Sequence, residues 1–216
     1  MEQRPSFRVQ YQGKLDQIQA DVLKAGAEAT EMVREATEAA LSGDPELCAA
    51  VIAKDDAIDE AERRLVNLAV LAMLEAPVAA DLRLLVCTFG VMSEIEKVGD
   101  DAAKLARRAS RLGASFPSEF KLPLIELSEK ARHAFSASLR LYSSYSNSFC
   151  AEIIAGDKAI DKTYSAVRKR ALDLIKEQPS SAEDLLRTAE SFRALEHVAD
   201  RATAVANHMK MIYEPV

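Results

Sequence analysis

The segment Cys48-Ala-Ala-Val-Ile-Ala-Lys-Asp-Asp-Ala-Ile-Asp59 returns 102 positions later as Cys150-Ala-Glu-Ile-Ile-Ala-Gly-Asp-Lys-Ala-Ile-Asp161. Eight of the twelve positions are identical. A second related pair, E-K-V-G-D-D-A at 96–102 and E-H-V-A-D-R-A at 196–202, lies 100 positions apart. Repeats at a nearly constant offset are typical of a duplicated structural unit. The sequence therefore predicts two copies of one fold in tandem.

The composition favours helices and argues against nucleic acid as the main partner. The chain has 216 residues, of which 49% are hydrophobic and 29% charged, with seven Gly, seven Pro and no Trp. Such a composition is typical of a soluble globular protein built from good helix formers. The net charge of −6 is the wrong sign for a surface that binds phosphate backbones.

Hydrophobic periodicity predicts three long helices in each half. Between Phe7 and Leu41 the apolar residues recur at steps of three and four, which describes one helical face. Gly43 then favours a helix end, and Asp44 followed by Pro45 favours the start of the next helix. The same reasoning ends the second helix near Glu75. The remaining predicted helices cover about 79–112, 122–144, 147–178 and 182–212.

The segment 114–123 contains two prolines and lacks a helical period, so we expect it to link the two halves. No segment shows the alternation of apolar and polar residues expected of a strand. The sequence thus predicts an all-α protein made of two tandem three-helix bundles related by internal duplication. The expected domains are residues 1–114 and 120–216.

Each half carries two pairs of acidic residues at a spacing of four. Residues four apart lie one turn above each other on a helix, so each pair presents two carboxylates side by side. Random placement of the chain's acids would give roughly two such pairs ending in Asp. The sequence has four, at matching places in the two repeats: Asp55 and Asp59, Glu96 and Asp100, Asp157 and Asp161, Glu196 and Asp200.

If two acidic pairs on neighbouring helices face each other, their four carboxylates lie close together. All-oxygen ligands suit cations such as Fe³⁺, Mn²⁺ or Mg²⁺. A ferritin-like di-iron oxidase would need Glu-x-x-His motifs, which the chain lacks. His197 follows Glu196 directly and is interpreted as a polar neighbour on the helix surface. Cys48 and Cys150 are interpreted as small buried hydrophobic residues.

Nothing in the sequence indicates secretion or membrane insertion. The N-terminal residues M-E-Q-R-P-S-F lack an apolar core of a signal peptide, and no run of about 18 apolar residues occurs. We therefore expect a cytoplasmic protein.

The chain resembles the PhoU family of bacterial phosphate-uptake regulators over nearly its full length. Three segments carry this resemblance. A-P-V-A-A-D-L-R at 76–83 is similar to the family's turn before its third helix, and I-E-K-V-G-D at 95–100 and L-E-H-V-A-D at 195–200 are similar to its two acidic motifs. The resemblance implies two metal sites, one in each half, that hold iron, zinc or other divalent ions, in multinuclear form in some members. One site would use Asp55, Asp59, Glu96 and Asp100, and the other Asp157, Asp161, Glu196 and Asp200.

The resemblance also implies a regulatory adaptor rather than an enzyme. Such a protein would connect the ATPase subunit of the phosphate ABC transporter to the sensor histidine kinase, restrain uptake and keep the phosphate regulon off. It would form a homodimer, bind no nucleic acid and reach the membrane only through its partners. Two alternatives remain open: a metal-binding protein with storage or redox activity, and a helical scaffold whose acids are solvated. The two quartets are expected to behave alike and independently.

Overall fold

The computed structural model describes residues 7–75, 77–112 and 116–214. Within these ranges the chain forms six α-helices and a short 3₁₀ turn at Pro179–Ser181, with no strand. This confirms the all-α prediction. The helices are α1 (Phe7–Ser42), α2 (Pro45–Met73), α3 (Ala79–Leu112), α4 (Ser118–Ser143), α5 (Asn147–Glu177) and α6 (Ala182–Tyr213).

The helices pack as two three-helix bundles that share one hydrophobic core. α1, α2 and α3 pack on one another, as do α4, α5 and α6, and the bundles meet where α3 packs on α6 and α1 packs on α4. We call these contacts the inter-bundle interface. Buried apolar side chains from all six helices form one connected cluster across it. The division into domains 1–114 and 120–216 stays a prediction.

α3 and α6 run antiparallel along the inter-bundle interface. Near the start of α3, Gly90 lies against the imidazole of His208, near the end of α6; a Cβ atom at Gly90 would come within 2.0 Å of His208 Nε2. Near the other end, Arg108 Nε lies 3.4 Å from Glu190 Oε2. Positions 90 and 108 correspond to 190 and 208 at the repeat offset of 100, so the two contacts are equivalent. The two repeats are therefore related by a pseudo-twofold axis between these helices.

The predicted boundary between α1 and α2 is confirmed in detail. Gly43 has a φ of 70°, the left-handed conformation that favours glycine after a helix. The Asp44 carboxylate then accepts hydrogen bonds from the backbone N–H groups of Glu46 and Leu47. These bonds satisfy donors that the first turn of α2 would otherwise leave free.

Asp81, in the A-A-D-L-R segment, starts α3 in a similar way. Its carboxylate accepts a hydrogen bond of 3.0 Å from the N–H of Val78, just before the helix, and one of 2.6 Å from Nη1 of Arg8 on α1. One side chain therefore caps α3 and ties it to α1.

The predicted linker 114–123 is wrong in its second half, and residues 113–115 lie outside the described part of the chain. α4 begins at Ser118 and includes Pro123. Phe120 and Leu124, on either side of this proline, are fully buried, and the Phe120 ring meets the Phe192 ring edge-on at 6.1 Å. Burial of these side chains outweighs the single backbone hydrogen bond that a proline removes.

Candidate metal centre

The four acidic residues of the second repeat meet between α5 and α6. Carboxylate oxygens of Asp157, Asp161 and Asp200 lie within 4.8 Å of one another. Ligand atoms of Glu196, His197 and Asp200 form a second such group. The two groups share Asp200, so the structure brings the predicted residues together; we call Asp157, Asp161, Glu196 and Asp200 the second site.

The carboxylates of the second site destabilise one another's charge. Burial, followed by the charges of Asp200 and Asp161, raises the pKa of Glu196 to about 7. Burial and the same two neighbours raise the pKa of Asp157. Asp157 Oδ1 is shielded from solvent and has no hydrogen-bond partner. Such an atom incurs a desolvation cost that a bound cation would offset.

The cations around the second site act on its carboxylates from a distance: the charge of Arg193 lowers the pKa of Glu196 and that of Arg201 lowers the pKa of Asp200, although burial and the neighbouring acids raise both overall. His197 Nε2 is 3.8 Å from Glu196 Oε2. In residues 7–75, 77–112 and 116–214, no lysine or arginine nitrogen comes within 4.0 Å of its four carboxylates. The fit to a metal ion is therefore good: several oxygens converge, one of them unpaired, and an imidazole stands beside them.

The first site, by which we mean Asp55, Asp59, Glu96 and Asp100, gathers between α2 and α3. Burial and the charge of Asp100 raise the pKa of Asp55. Burial, then the charges of Glu62 and Asp100, raises the pKa of Glu96. The quartet predicted from the sequence therefore shares one electrostatic environment.

Glu62 is a neighbour of the first site that sequence reasoning missed. It lies three residues after Asp59, a spacing that puts both on one face of α2. The equivalent residue in the second repeat is Tyr164, so comparison of the repeats passed over it. The spacing of three residues between Asp59 and Glu62 was the feature of the sequence that could have identified Glu62.

The first site contains its own cations. Lys104 Nζ lies 2.8 Å from Asp100 Oδ2, and Arg107 Nη2 lies 3.3 Å from Asp55 Oδ2. Among the described residues, no three acidic, histidine or cysteine ligand atoms of this site fall within 4.8 Å of one another. The first site thus resembles the second in its acids but differs in what surrounds them.

His197 does more than the sequence interpretation assigned to it. Its Nδ1 lies 3.6 Å from Oδ1 of Asp101, a fully buried residue on α3. Its ligand atom also falls in a group with Glu196 and Asp200. The prediction that it is a polar surface neighbour is therefore incomplete: His197 is half-buried at the inter-bundle interface and within reach of the second site.

The cysteines are buried, as predicted. Cys48 and Cys150 are almost fully shielded from solvent. Cys150 Sγ donates to the backbone oxygen of Ala206 at 3.2 Å. Burial raises the pKa of both thiols, which keeps them in the neutral form.

Fold and site together define a class: a duplicated, six-helix protein with a carboxylate cluster in each half. A family model described as the PhoU domain matches residues 22–109 and again 124–209. The chain belongs to the PhoU family.

Named relatives and solved structures agree with this assignment. The chain is 24% identical over 197 residues to the phosphate-specific transport system accessory protein PhoU homolog of Clostridium acetobutylicum, with 90% of each chain covered. It is 26% identical over 187 residues to the homolog of Rhizobium meliloti, covering 86% of this chain and 79% of the relative. The crystal structure of PhoU from Pseudomonas aeruginosa has the same fold, with a TM-score of 0.88 at 22% identity over 95% of this chain and all of the other. No described helix is long and apolar enough to cross a bilayer.

Proposed function

We propose that this protein is a negative regulator of phosphate uptake and of the phosphate regulon, acting as an adaptor rather than as an enzyme. The observation that carries the proposal is the match of the PhoU domain model to both halves of the chain. The relatives are named as accessory proteins of a phosphate-specific transport system.

The proposed partners are the ATPase subunit of the phosphate ABC transporter and the sensor histidine kinase. The long helices offer extended faces of the kind that dock onto other helical proteins, and the adaptor would act from the cytoplasm as a homodimer. Deletion of the gene should switch on a phosphate-starvation reporter in phosphate-rich medium, and the intact chain should restore repression. Purified chain should capture the ATPase subunit and the kinase. Normal repression in the deletion strain would reject the regulatory role.

We further propose that the acidic motifs bind metal. At the second site, Asp157, Asp161, Glu196 and Asp200 would hold the ion, with His197 beside them. The ion would supply positive charge that relieves the mutual repulsion of these carboxylates and connects α5 to α6. Oxygen ligands with one imidazole suit iron, manganese or zinc.

Anaerobic metal analysis tests this part of the proposal. Wild type should retain iron, manganese or zinc after desalting, and a variant with Asp157, Asp161, Glu196 and Asp200 changed to Ala should lose metal while remaining folded. Absence of metal from the wild type would instead favour a scaffold with solvated acids, and metal content unchanged by the substitutions would mean that the ion binds elsewhere in the chain. Catalytic oxidation of Fe²⁺ by the wild type would favour the storage or redox alternative.

A further inference from the structure

We propose that the two sites are unequal: the second site takes a metal ion, whereas Lys104 and Arg107 already pair with two of the four carboxylates of the first. This inference rests on the proposed metal binding and departs from the expectation that the two quartets behave alike. It states which half of the molecule binds the metal ion.

The contacts of the first site support this asymmetry. Lys104 and Arg107 form ion pairs with Asp100 at 2.8 Å and with Asp55 at 3.3 Å. The two pairs engage one acid from α3 and one from α2. A cation that entered here would have to displace both ammonium and guanidinium groups, or share the carboxylates with them.

The repeat provides an internal comparison. Positions 104 and 107 of the first repeat correspond to Ala204 and Asn207 at the offset of 100. Neither side chain carries a charge. The two residues that form ion pairs in the first site therefore have no charged counterparts at the same positions of the second repeat, where Arg193 and Arg201 act on the carboxylates without forming an ion pair with them.

The placement of the ligand atoms points the same way. One group of three ligand atoms within 4.8 Å consists of residues of the second site, and another combines two of them with His197; none among the described residues involves the first site. The unpaired buried oxygen of Asp157 also belongs to the second site, whereas Asp55 accepts a hydrogen bond from Arg107. Two carboxylates of the first site are thus held in ion pairs by lysine and arginine, whereas, within the described part of the chain, none of the second site is.

Neighbours of metal ligands commonly change affinity by about 10- to 100-fold. We expect the same factor to separate the two sites here. Wild-type protein should load the second site first and leave the first largely empty at limiting metal.

A reciprocal exchange between the repeats tests the inference. In one variant, Lys104→Ala and Arg107→Asn give the first site the residues of the second. In the other, Ala204→Lys and Asn207→Arg give the second site the residues of the first. These positions are partly or fully exposed on helices, so a longer or shorter side chain has room. Because Lys104 also contacts Asp101, Lys104→Gln with Arg107→Gln provides a version that keeps side-chain length.

Each protein is stripped of metal and then titrated anaerobically with Mn²⁺, Zn²⁺ or Fe²⁺ alone, with bound metal and thermal unfolding measured together. The first exchange, in its Ala/Asn or Gln/Gln form, should double the bound metal at a concentration where wild type fills one site. The second exchange should reduce binding to near zero and remove the rise in melting temperature.

Knock-out pairs assign the loaded site in the wild type. Asp157→Asn with Asp161→Asn should remove most of the metal, and Asp55→Asn with Asp59→Asn should remove little. Equal losses from the two pairs, together with exchanges that change nothing, would overturn the asymmetry and leave metal binding intact. Failure of every variant and of wild type to bind any of the three metals would reject the metal proposal itself.

Discussion

Asp101 Oδ1 lies 3.6 Å from His197 Nδ1 across the inter-bundle interface. Asp101 follows Asp100 of the first site, and His197 follows Glu196 of the second. The contact between the bundles is thus one residue from a candidate ligand on each side. Arg201 and Lys104 also approach the Asp101 carboxylate, at 3.9 and 3.4 Å.

Removal of this buried carboxylate should weaken the inter-bundle interface. Asp101→Ala leaves the facing cations without their partner, and we expect a loss of about 1–3 kcal/mol in the free energy of unfolding. Urea denaturation at pH 7 measures it. Asp56→Ala removes an exposed acid and serves as the control. An equal effect of the two substitutions would contradict a role for Asp101 at the interface.

α3 and α6 approach closely at Gly90, so the effect of Gly90→Ala on stability should change sign when His208 is removed. Gly90→Ala forces the His208 ring away, and we expect it to cost about 1 kcal/mol. In a His208→Ala background the same change should stabilise the protein by about 0.5–1 kcal/mol, the normal gain for Gly to Ala in a helix. Thermal unfolding of the four proteins provides the cycle.

Gly156→Ala is the matched control for this cycle, because a Cβ at this position on α5 meets nothing within 4 Å. It should stabilise the protein in either background. If Gly90→Ala alone stabilised the protein as much as Gly156→Ala does, the contact with His208 would not limit the approach of the two helices.

Acid should weaken the start of α3 through Asp81. Hydrogen bonds from Arg8, with a further one from the Val78 N–H, lower the pKa of Asp81 below its ordinary value. A lowered folded-state pKa contributes stability above the unfolded pKa of about 3.9, and that stability is lost as the pH falls through the folded-state pKa. Asp81→Asn should therefore cost about 1 kcal/mol at pH 7, and this cost should shrink as the pH falls through the folded-state pKa.

Chemical denaturation across this pH range checks the prediction. The exposed Asp16, which accepts from Gln12 on the same helix, supplies Asp16→Asn as the control with a smaller effect. A penalty for Asp81→Asn that persisted unchanged at the acid end would show that ionisation of Asp81 is not the source of its stabilisation.

Glu196→Gln should separate stability from metal binding. Glu196 is held close to Asp200 and Asp161, so a neutral isostere relieves repulsion and should stabilise the metal-free protein at pH 8 by on the order of 1 kcal/mol. The same substitution removes a candidate ligand and should reduce the rise in melting temperature on addition of metal. Differential scanning fluorimetry with and without chelator measures both. If the metal-free variant were less stable than the metal-free wild type, this would contradict the repulsion between Glu196 and its acidic neighbours.

Association with the proposed partners should weaken with salt. The net charge of −6 would steer the adaptor toward basic faces on the kinase or the ATPase subunit. Between about 0.05 and 0.5 M salt, screening shortens the reach of such attraction several-fold, so the association rate should fall. Surface plasmon resonance at several ionic strengths measures it, and a constant rate would rule out electrostatic steering.

Periodicity and capping chemistry were sufficient to predict most of the fold. The boundary at Gly43 and Asp44 follows from local backbone preferences, so it could be read from four residues. The start of α4 could not, because helix formation through Pro123 depends on burial of Phe120 against Phe192, a residue 72 positions away. Only tertiary packing supplies that information.

The candidate sites divide in the same way. The repeat predicts which acids converge, because their spacing fixes a helix face. It does not predict all the cations that accompany them, since the pair between Arg107 and Asp55 crosses from α3 to α2. The pairing of His197 with Asp101 likewise depends on how α6 crosses α3. The pair between Lys104 and Asp100 lies within α3 at a spacing of four and can be read from the sequence. The contacts of Arg107 and His197 depend on how the helices pack and cannot.

The pseudo-twofold arrangement of α3 and α6 has an evolutionary consequence. Before gene fusion, a single three-helix unit that associated through this face would have formed a symmetric homodimer. In such a dimer, Asp101 would stand where Arg201 now stands and would face Glu94, which Arg201 presently approaches at 3.7 Å. The two halves carry opposite charges at this one position, Asp101 and Arg201. The face of the first half is therefore matched in charge to the second half rather than to a copy of itself.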